Sequence, residues 1–250
     1  MRKGIVIAPI ALVGLLLAAP ALMAATPTAE DIVARLQANQ VFATSRLQGL
    51  MAVTDRFGTK ETRFVSSTRG DAEALIEFTS TEEKGQKILR TKDEIYLFYP
   101  DAEEVIRLQG AAFRDAVLGS DMSYEDLTGG KTLLETYRVS LEGTDVVDGA
   151  ECYRIRMEAK TRNVAYPVQV AWIDPKLWSA RRMQQFSLAG RLLKEISLGD
   201  FKAVAGRTIA MRMVLEDKLK KKSRTVFTIE KIEVDVPLDP KLFTLEHLSW

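Results

Sequence analysis

The sequence GQKILRTKDEIYLFYPDAEEVIRLQGAAFRDAVLGSDMSYEDL, residues 85–127, contains three strand-length apolar runs and then a segment with a different pattern. The runs lie at 88–90, 95–99 and 104–108. Asp93-Glu94 and Pro100-Asp101 separate them, and both pairs favour turns because Asp and Pro adopt turn geometry at low cost. This alternation of runs and turns predicts a β-meander.

The segment that follows the meander has the spacing of short helices. Residues 111–118 carry three apolar side chains at helical spacing. These are Phe113, Val117 and Leu118. Ser123 and Asp126 then form a capping-box pattern, in which Asp126 stands in for the usual Glu. We therefore expect short helices to cover the edge or the mouth of a sheet.

Most of the remaining sequence has the two-residue period of β-strands. In TIAMRMVLE, residues 208–216, one strand face is apolar and the other carries Arg212 and Glu216, which is typical of a sheet that is wet on one side. Short turns such as Asp148-Gly149 and Ala205-Gly206 imply antiparallel neighbours. We expect about ten or eleven strands in meander order.

The start of the mature chain predicts one amphipathic helix. Thr28 is a helix cap, and acidic residues follow it in the first turn, where the helix dipole favours them. Apolar residues then fall on one face of a helix spanning residues 28–39. The predicted fold class is α+β: one domain, residues 26–250, with a strongly curved antiparallel sheet or incomplete β-barrel, an N-terminal helix and a small helical lid insertion.

Residues 1–25 have the features of a secretory signal peptide. Arg2 and Lys3 precede a long apolar run that ends in small residues, so cleavage after Ala24 or Ala25 is expected. An uncleaved anchor is the alternative, because about 18 apolar residues can span a bilayer. The prolines and alanines of this segment favour cleavage and therefore a soluble, exported, periplasmic protein.

The composition argues against several classes of chemistry. Without Arg2 and Lys3, 33 of the 35 basic residues remain against 34 acidic ones, so nucleic acid is not an expected partner. The single histidine, His247, and the single cysteine, Cys152, cannot build a His/Cys metal site. No phosphate-binding glycine motif is present. We expect neither an enzyme nor a cofactor, and we interpret Cys152 as a partly buried structural thiol, with pairing between chains as the alternative.

The strand at 95–99 is apolar on both faces. Tyr96 and Phe98 share one face, and Ile95, Leu97 and Tyr99 share the other. Either the helices complete an ordinary core over this strand, or the sheet and the insertion enclose a cavity for an acyl chain. A chain of about sixteen carbons costs on the order of 12 kcal/mol to keep in water, so an apolar groove would be needed to carry it. Adaptable methionines suit such a groove; the candidates are Met122, Met211 and Met213.

Four segments resemble the outer-membrane lipoprotein-sorting protein family, which is similar in fold to the carrier LolA and the sensor RseB. They are GSDMSYEDL (119–127), GAECYRI (149–155), PVQVAWIDPKLWSARRMQQFSLAGRLLKE (167–195) and DPKLFTLEHL (239–248). The residues that match the pattern of this family are Tyr166, Trp172, Ile173, Asp174, Gly190, Lys194 and Phe243. Ser187 stands where the family usually has an aspartate.

The resemblance implies an unclosed β-barrel with a helical lid. It also implies a periplasmic carrier of lipid or lipoprotein that contacts membranes transiently, works with an inner-membrane transporter complex and has no catalytic residues. We hypothesise that acyl chains lie between the sheet and a lid formed by residues 111–127. The predicted site residues are Tyr96, Phe98, Phe113, Met122, Tyr124 and Trp172. Two alternatives are an RseB-like sensor that binds a membrane-anchored regulator and a lipid-modifying enzyme.

Overall fold

One antiparallel sheet of thirteen strands makes up most of the protein. The computed structural model describes residues 26–92, 94–128, 132–162 and 164–248. The predicted signal peptide at 1–25 and Asp93 of the first predicted turn lie outside the described residues. The strands are β1 Thr44–Asp55, β2 Gly58–Arg69, β3 Glu73–Phe78, β4 Lys87–Arg90, β5 Ile95–Tyr99, β6 Glu104–Arg107, β7 Tyr137–Val147, β8 Ala150–Ala159, β9 Val168–Asp174, β10 Ser179–Phe186, β11 Leu192–Val204, β12 Arg207–Asp217 and β13 Arg224–Val234.

The strand order is β6-β5-β4-β3-β2-β1-β13-β12-β11-β10-β9-β8-β7. The chain therefore starts in the centre of the sheet, runs out to β6, crosses to the far edge at β7 and returns strand by strand to pair β13 with β1. The edge strands are β6 and β7, so the curved sheet is open, which confirms the predicted incomplete barrel. It has thirteen strands instead of ten or eleven, because each alternating stretch forms a strand of its own.

The predicted N-terminal helix is α1, Ala29–Gln40. Thr28 caps it in a reciprocal box with Asp31. Its buried face packs on β7, β10 and β12. The apolar cluster beneath it contains fully buried Ile155 and Met157 of β8. The helix therefore covers the half of the sheet that contains β7–β12, and its apolar face docks on the sheet as predicted. Two short helices, α2 Tyr124–Thr128 and α3 Leu133–Thr136, lie between β6 and β7 in the chain.

Cross-strand pairing shows that α1 lies on the same sheet face as residues 108–128, the segment after β6 that we call the insertion. Residues that pair directly across neighbouring strands share a face, and the pairs that link the two segments are Met51–Phe227, Phe227–Met213, Met213–Leu198, Ile196–Met183, Met183–Ala171 and Ala171–Ile155. Ile196 and Leu198 lie on the same face of β11 because they are two residues apart. Met51 packs in the cluster beneath the insertion, and Ile155 packs beneath α1. We call this surface the inner face and the opposite surface the outer face.

The outer face of β3–β5 is covered by the C-terminal segment, residues 238–248. The C-terminal segment contains a 3₁₀ turn, Pro240–Phe243, and the short helix α4, Leu245–Leu248. Phe243 and Leu248 pack with Leu75, Leu89 and Phe98, and all five side chains are at most 8% exposed. Strand β5 is thus buried on both faces, as its sequence predicted, but different segments cover the two faces.

Gly49 of β1 allows a large aromatic side chain to cross the centre of the inner face. A Cβ atom at Gly49 would lie 2.4 Å from Cζ of Phe64. The Phe64 ring packs 5.1 Å from that of Phe227, between centroids, and Phe64 is 3% exposed. The ring therefore has little room to move away.

We expect Gly49→Ala to lower the free energy of unfolding by about 1–3 kcal/mol, because the added methyl group overpacks this buried site. Gly199→Ala in β11 is the matched control, since nothing lies within 4 Å of a Cβ atom there. Urea denaturation of both variants measures the difference. Equal stabilities would contradict this account of Gly49.

Candidate functional site

The insertion is built from short turns that follow the inner face. Residues Gly110–Arg114 and Val117–Gly119 form 3₁₀ turns, and Tyr124–Thr128 forms α2. The spacing at 111–118 predicted a regular helix, but the C-cap of the first turn, Asp115, is extended and Leu118 has φ of +49°. An α-helix cannot continue through these conformations, so the apolar side chains reach the sheet from separate turns.

The capping box predicted at Ser123 and Asp126 is present. The Ser123 N–H donates to the Asp126 carboxylate at 3.1 Å, and the Asp126 N–H donates to Ser123 Oγ at 3.1 Å. The same carboxylate accepts a hydrogen bond from Lys194 Nζ of β11 at 2.6 Å and another from the Tyr166 hydroxyl at 3.3 Å. Lys194 Nζ also lies 5.1 Å from the centroid of the Tyr166 ring. Asp126 thus caps α2 and ties it to the sheet.

Asp121 makes a second polar attachment. Its side chain is fully buried, its N–H donates to Thr225 Oγ1 of β13 at 2.8 Å, and its carboxylate accepts from the Ser223 hydroxyl. Lys220 Nζ lies 3.3 Å from Asp121 Oδ1 and donates to the Ser120 carbonyl at 2.8 Å. Asp126 and Asp121 of GSDMSYED therefore fasten the insertion to β11 and to the β12–β13 hairpin.

Between these attachments the insertion buries apolar side chains against the inner face. Val117 is 0% exposed and joins the cluster around Met51, Phe64 and Leu97. Met122 is 2% exposed and packs with Ile196 and Leu215.

A seam of partly exposed apolar side chains lies where the clusters of α1 and the insertion meet. Met183 and Leu198 contact both the α1 cluster and the Met122 cluster. Phe227 contacts the Met122 cluster and the Val117 cluster, and Met213 lies between them in the Met122 cluster. We call these four side chains the seam. None is fully buried, although all four lie in the middle of the inner face.

A cavity of about 240 Å³ opens beside the insertion. Its walls come from the insertion, from the start of β11 and from the β12–β13 turn, and they include Asp121, Met122, Lys194, Leu219 and Lys220. Its lining mixes charged and apolar groups, so it differs from the apolar seam.

The structure does not bring the six predicted site residues together. Phe113, Met122 and Tyr124 lie in the insertion and contact the inner-face clusters. Tyr96 and Phe98 lie on the outer face beneath the C-terminal segment. They point there because alternate residues of β5 face opposite ways.

Trp172 also lies on the outer face, away from the seam. Its indole N–H donates to Asp145 Oδ2 at 3.0 Å, and Arg154 and Arg182 approach its ring to 5.7 and 5.5 Å. The indole hydrogen bond, together with the Val146 N–H, lowers the pKa of the Asp145 carboxyl. Cys152 packs beside Trp172 and is fully buried, and burial raises the pKa of its thiol. The interpretation of Cys152 as a structural thiol agrees with this environment.

Within the described ranges, no three His, Cys, Asp or Glu side chains come close enough to hold a metal ion. No helix in the described part of the chain has the length and apolar character needed to cross a membrane.

A comparison with known protein families assigns the chain to one of them. A family model described as "Uncharacterized protein" matches residues 70–250. The chain belongs to that family. None of the curated proteins matches it.

Solved structures show the fold that this family member adopts. A domain described as an outer membrane lipoprotein-sorting protein, from Vibrio parahaemolyticus, superposes with a TM-score of 0.81 at 17% identity, covering 89% of this chain and 98% of that one. A DUF1329 family protein from Desulfovibrio piger gives 0.82 at 21% identity over 89% and 100%. A LolA superfamily protein from Nitrosomonas europaea gives 0.75 at 20% identity over 89% and 100%. This family member therefore has the LolA-like fold that the resemblance predicted.

Sequence reasoning named Met213 of the seam as a groove candidate, but it missed the other three seam residues and the partners of the two acidic attachments. Lys194 and Tyr166 matched the family pattern, but the pattern gave them no role. Met183, Leu198 and Phe227 come from three different strands, and no local spacing links them. Only the alternation of each strand was available as a signal, and it could not show which strands become neighbours.

The buried hydroxyls of Tyr166 and Tyr124 lead us to expect that the folded protein loses stability at alkaline pH. Burial raises the pKa of both hydroxyls, with the Asp126 carboxylate adding to the effect at Tyr166 and Tyr99 adding to it at Tyr124. Above a pH of about 10 the unfolded chain releases these protons while the folded chain keeps them, so stability decreases as pH rises. We expect up to about 1.4 kcal/mol per pH unit from each tyrosine.

Tyr166→Phe should reduce this decrease, because phenylalanine has no proton to release. Urea denaturation of the wild-type protein and the variant across the alkaline range measures the two slopes. Their difference isolates Tyr166 from the lysines, which titrate in both proteins. Identical slopes would contradict the assignment.

Proposed function

We propose that this protein carries the acyl chains of lipids or lipoproteins between the inner face and the insertion. The observation that carries this proposal is the seam, a group of partly exposed apolar side chains in the middle of a LolA-like sheet. Neither α1 nor the insertion buries these side chains completely. The seam offers an acyl chain a continuous apolar surface beneath a removable cover.

The energetics favour such a site. Each methylene group removed from water contributes about 0.8 kcal/mol, so even eight buried methylenes contribute on the order of 6 kcal/mol. The methionines of the seam can change rotamer to fit chains of different length and unsaturation. The site would therefore select acyl chains by their apolar character more than by their shape.

Loading requires the insertion to move. Val117 and Met122 already fill the space against the sheet, and the cavity of about 240 Å³ is smaller than the roughly 300–1,000 Å³ of most small-molecule pockets. The two polar attachments can exchange their hydrogen bonds for water when the insertion lifts. In this proposal an acyl chain replaces the underside of the insertion on the inner face.

The setting of this activity is also part of the proposal. The signal-peptide pattern at residues 1–25 favours export to the periplasm. The resemblance to the lipoprotein-sorting family favours an inner-membrane transporter complex as the source of cargo and the outer membrane as its destination. The proposed mechanism uses binding and release and requires no catalytic residue.

Native mass spectrometry of the mature protein purified from its own envelope tests the proposal. We expect a bound phospholipid or acylated peptide near one per protein, and we expect the delipidated protein to take up a fluorescent fatty acid. An empty protein that also fails to take up the probe would contradict the carrier proposal. Turnover of a labelled phospholipid would instead support the lipid-modifying alternative.

A further inference from the structure

Three of the four most exposed large apolar side chains in the described part of the chain occur at hairpin turns. Phe57 is 81% exposed, Leu188 is 78% exposed and Leu219 is 52% exposed. They lie in the β1–β2, β10–β11 and β12–β13 turns. Nothing in the described part of the chain covers these three side chains enough to bury them.

The sheet topology places these three hairpins side by side. In strand order they occupy β2-β1, β13-β12 and β11-β10, which are six consecutive strands. Their turns lie at the same end of the sheet, because Thr54 at the end of β1 pairs with Arg224 at the start of β13, and Lys194 at the start of β11 pairs with Asp217 at the end of β12. We call this end, formed by residues 56–57, 187–191 and 218–224, the hairpin rim.

The charge of the hairpin rim is strongly one-sided. Its three segments contain seven basic residues and no acidic ones, and Asp55 and Asp217 flank them. The basic residues are Arg56, Arg191, Lys218, Lys220, Lys221, Lys222 and Arg224. Two of the seven are paired with carboxylates: Lys218 with Glu216 and Glu195, and Lys220 with Asp121. The other five give the rim its positive charge. The chain as a whole is nearly neutral, with a formal charge of +1, so this concentration is local.

Exposed apolar tips surrounded by cations match the chemistry of an anionic bilayer surface. The aromatic ring and the leucines can enter the headgroup region, while long basic side chains reach the lipid phosphates. Attraction to anionic lipid contributes about a fivefold gain in binding for each basic residue at the surface. A protein partner would also need an acidic surface with apolar pockets spaced to fit three separate tips.

We propose that the hairpin rim docks on the surface of an anionic phospholipid bilayer, with Phe57, Leu188 and Leu219 inserted among the headgroups. This inference does not require the proposed acyl-carrier function.

Docking would bring the edge of the insertion to the membrane. Leu219 and Lys220 belong to the rim and also line the cavity beside the insertion. Lys220 holds the insertion through the Ser120 carbonyl and Asp121, and its side chain is 39% exposed. A lipid phosphate that draws Lys220 away would weaken this attachment at the moment of contact.

Co-sedimentation with vesicles tests the docking surface. We expect the wild-type protein to bind vesicles of phosphatidylcholine and phosphatidylglycerol, to lose this binding as salt is raised, and to bind phosphatidylcholine vesicles weakly. Lys221→Gln with Lys222→Gln should weaken binding about 25-fold. Replacing Phe57, Leu188 and Leu219 by serine should weaken it about tenfold or more.

Controls come from the opposite end of the sheet. Lys176→Gln with Lys202→Gln removes the same charge from the β9–β10 turn and the exposed far part of β11, and Val146→Ser removes an apolar side chain that is 67% exposed. Both should bind vesicles within about twofold of the wild-type protein. Failure of the wild-type protein to bind the anionic vesicles, or an equal loss in the controls, would overturn the proposal.

The outcome is independent of acyl binding. The rim variants should take up a fluorescent fatty acid from solution as the wild-type protein does, because none of the substituted residues belongs to the seam. Vesicle binding without probe uptake would support the docking surface and contradict the carrier function. Probe uptake without vesicle binding would overturn the docking surface alone.

Discussion

Phe243→Ala should lower the free energy of unfolding by about 3–5 kcal/mol, because it empties the centre of the outer-face core. Phe243 is 5% exposed and packs with Leu75, Leu89 and Phe98, and Arg69 lies 4.9 Å from its ring centroid. Loss of the ring leaves a cavity and removes one of the contacts that hold the C-terminal segment on β3 and β4, that of Leu248 being another. Urea denaturation with a constant m-value measures the change.

Leu245→Ala is the matched control, since it lies in the same segment and is 47% exposed. It should change stability by no more than about 0.5 kcal/mol. The Phe243→Ala protein, while folded, should still bind an acyl probe, because the outer face is not the proposed site. Equal stabilities of the two variants would show that the segment does not form this core.

Met213→Glu should weaken binding of a fluorescent fatty acid by at least tenfold and up to about a hundredfold, provided that acyl chains lie on the seam. We expect the free protein to tolerate the carboxylate, because Met213 is partly exposed. An acyl chain would cover that carboxylate and remove its water, and burying an unpaired charge costs several kcal/mol. Fluorescence titration measures the affinity, and circular dichroism establishes that the variant is folded.

Two controls separate shape from charge. Met213→Leu keeps an apolar side chain of similar volume and should bind the probe within a few fold of the wild-type protein. Val146→Glu adds the same charge at an exposed site in β7 and should leave the affinity unchanged. Full affinity in a folded Met213→Glu protein would exclude the seam as the acyl site.

The proposed site is smaller and better defined than the six residues suggested by the sequence. Phe113, Met122 and Tyr124 remain near the inner face, whereas Tyr96, Phe98 and Trp172 face the other way. Alternation predicted correctly that Tyr96 and Phe98 share a face. It could not show which face of the strand would meet the insertion, because both faces are apolar and both are covered.

The local elements were predictable because short-range chemistry specifies them. The capping boxes at Thr28 and Ser123 are complete within four residues each, and both are present. The meander at residues 85–108 was predictable for the same reason, since Pro and Asp signals mark its turns. The insertion differed from a regular helix because its side chains are positioned by contact with the sheet.

The sequence alone determined the strands, the caps, the open antiparallel sheet and the apolar character of its faces, since hydrophobic period and turn chemistry act over a few residues. Only the tertiary structure decided that the C-terminal segment covers the outer face, that Lys194 and Thr225 hold the insertion, and that three exposed hairpin tips form one rim. These features join residues that are far apart in the chain, and strand order and register bring them together. No local pattern carries that information.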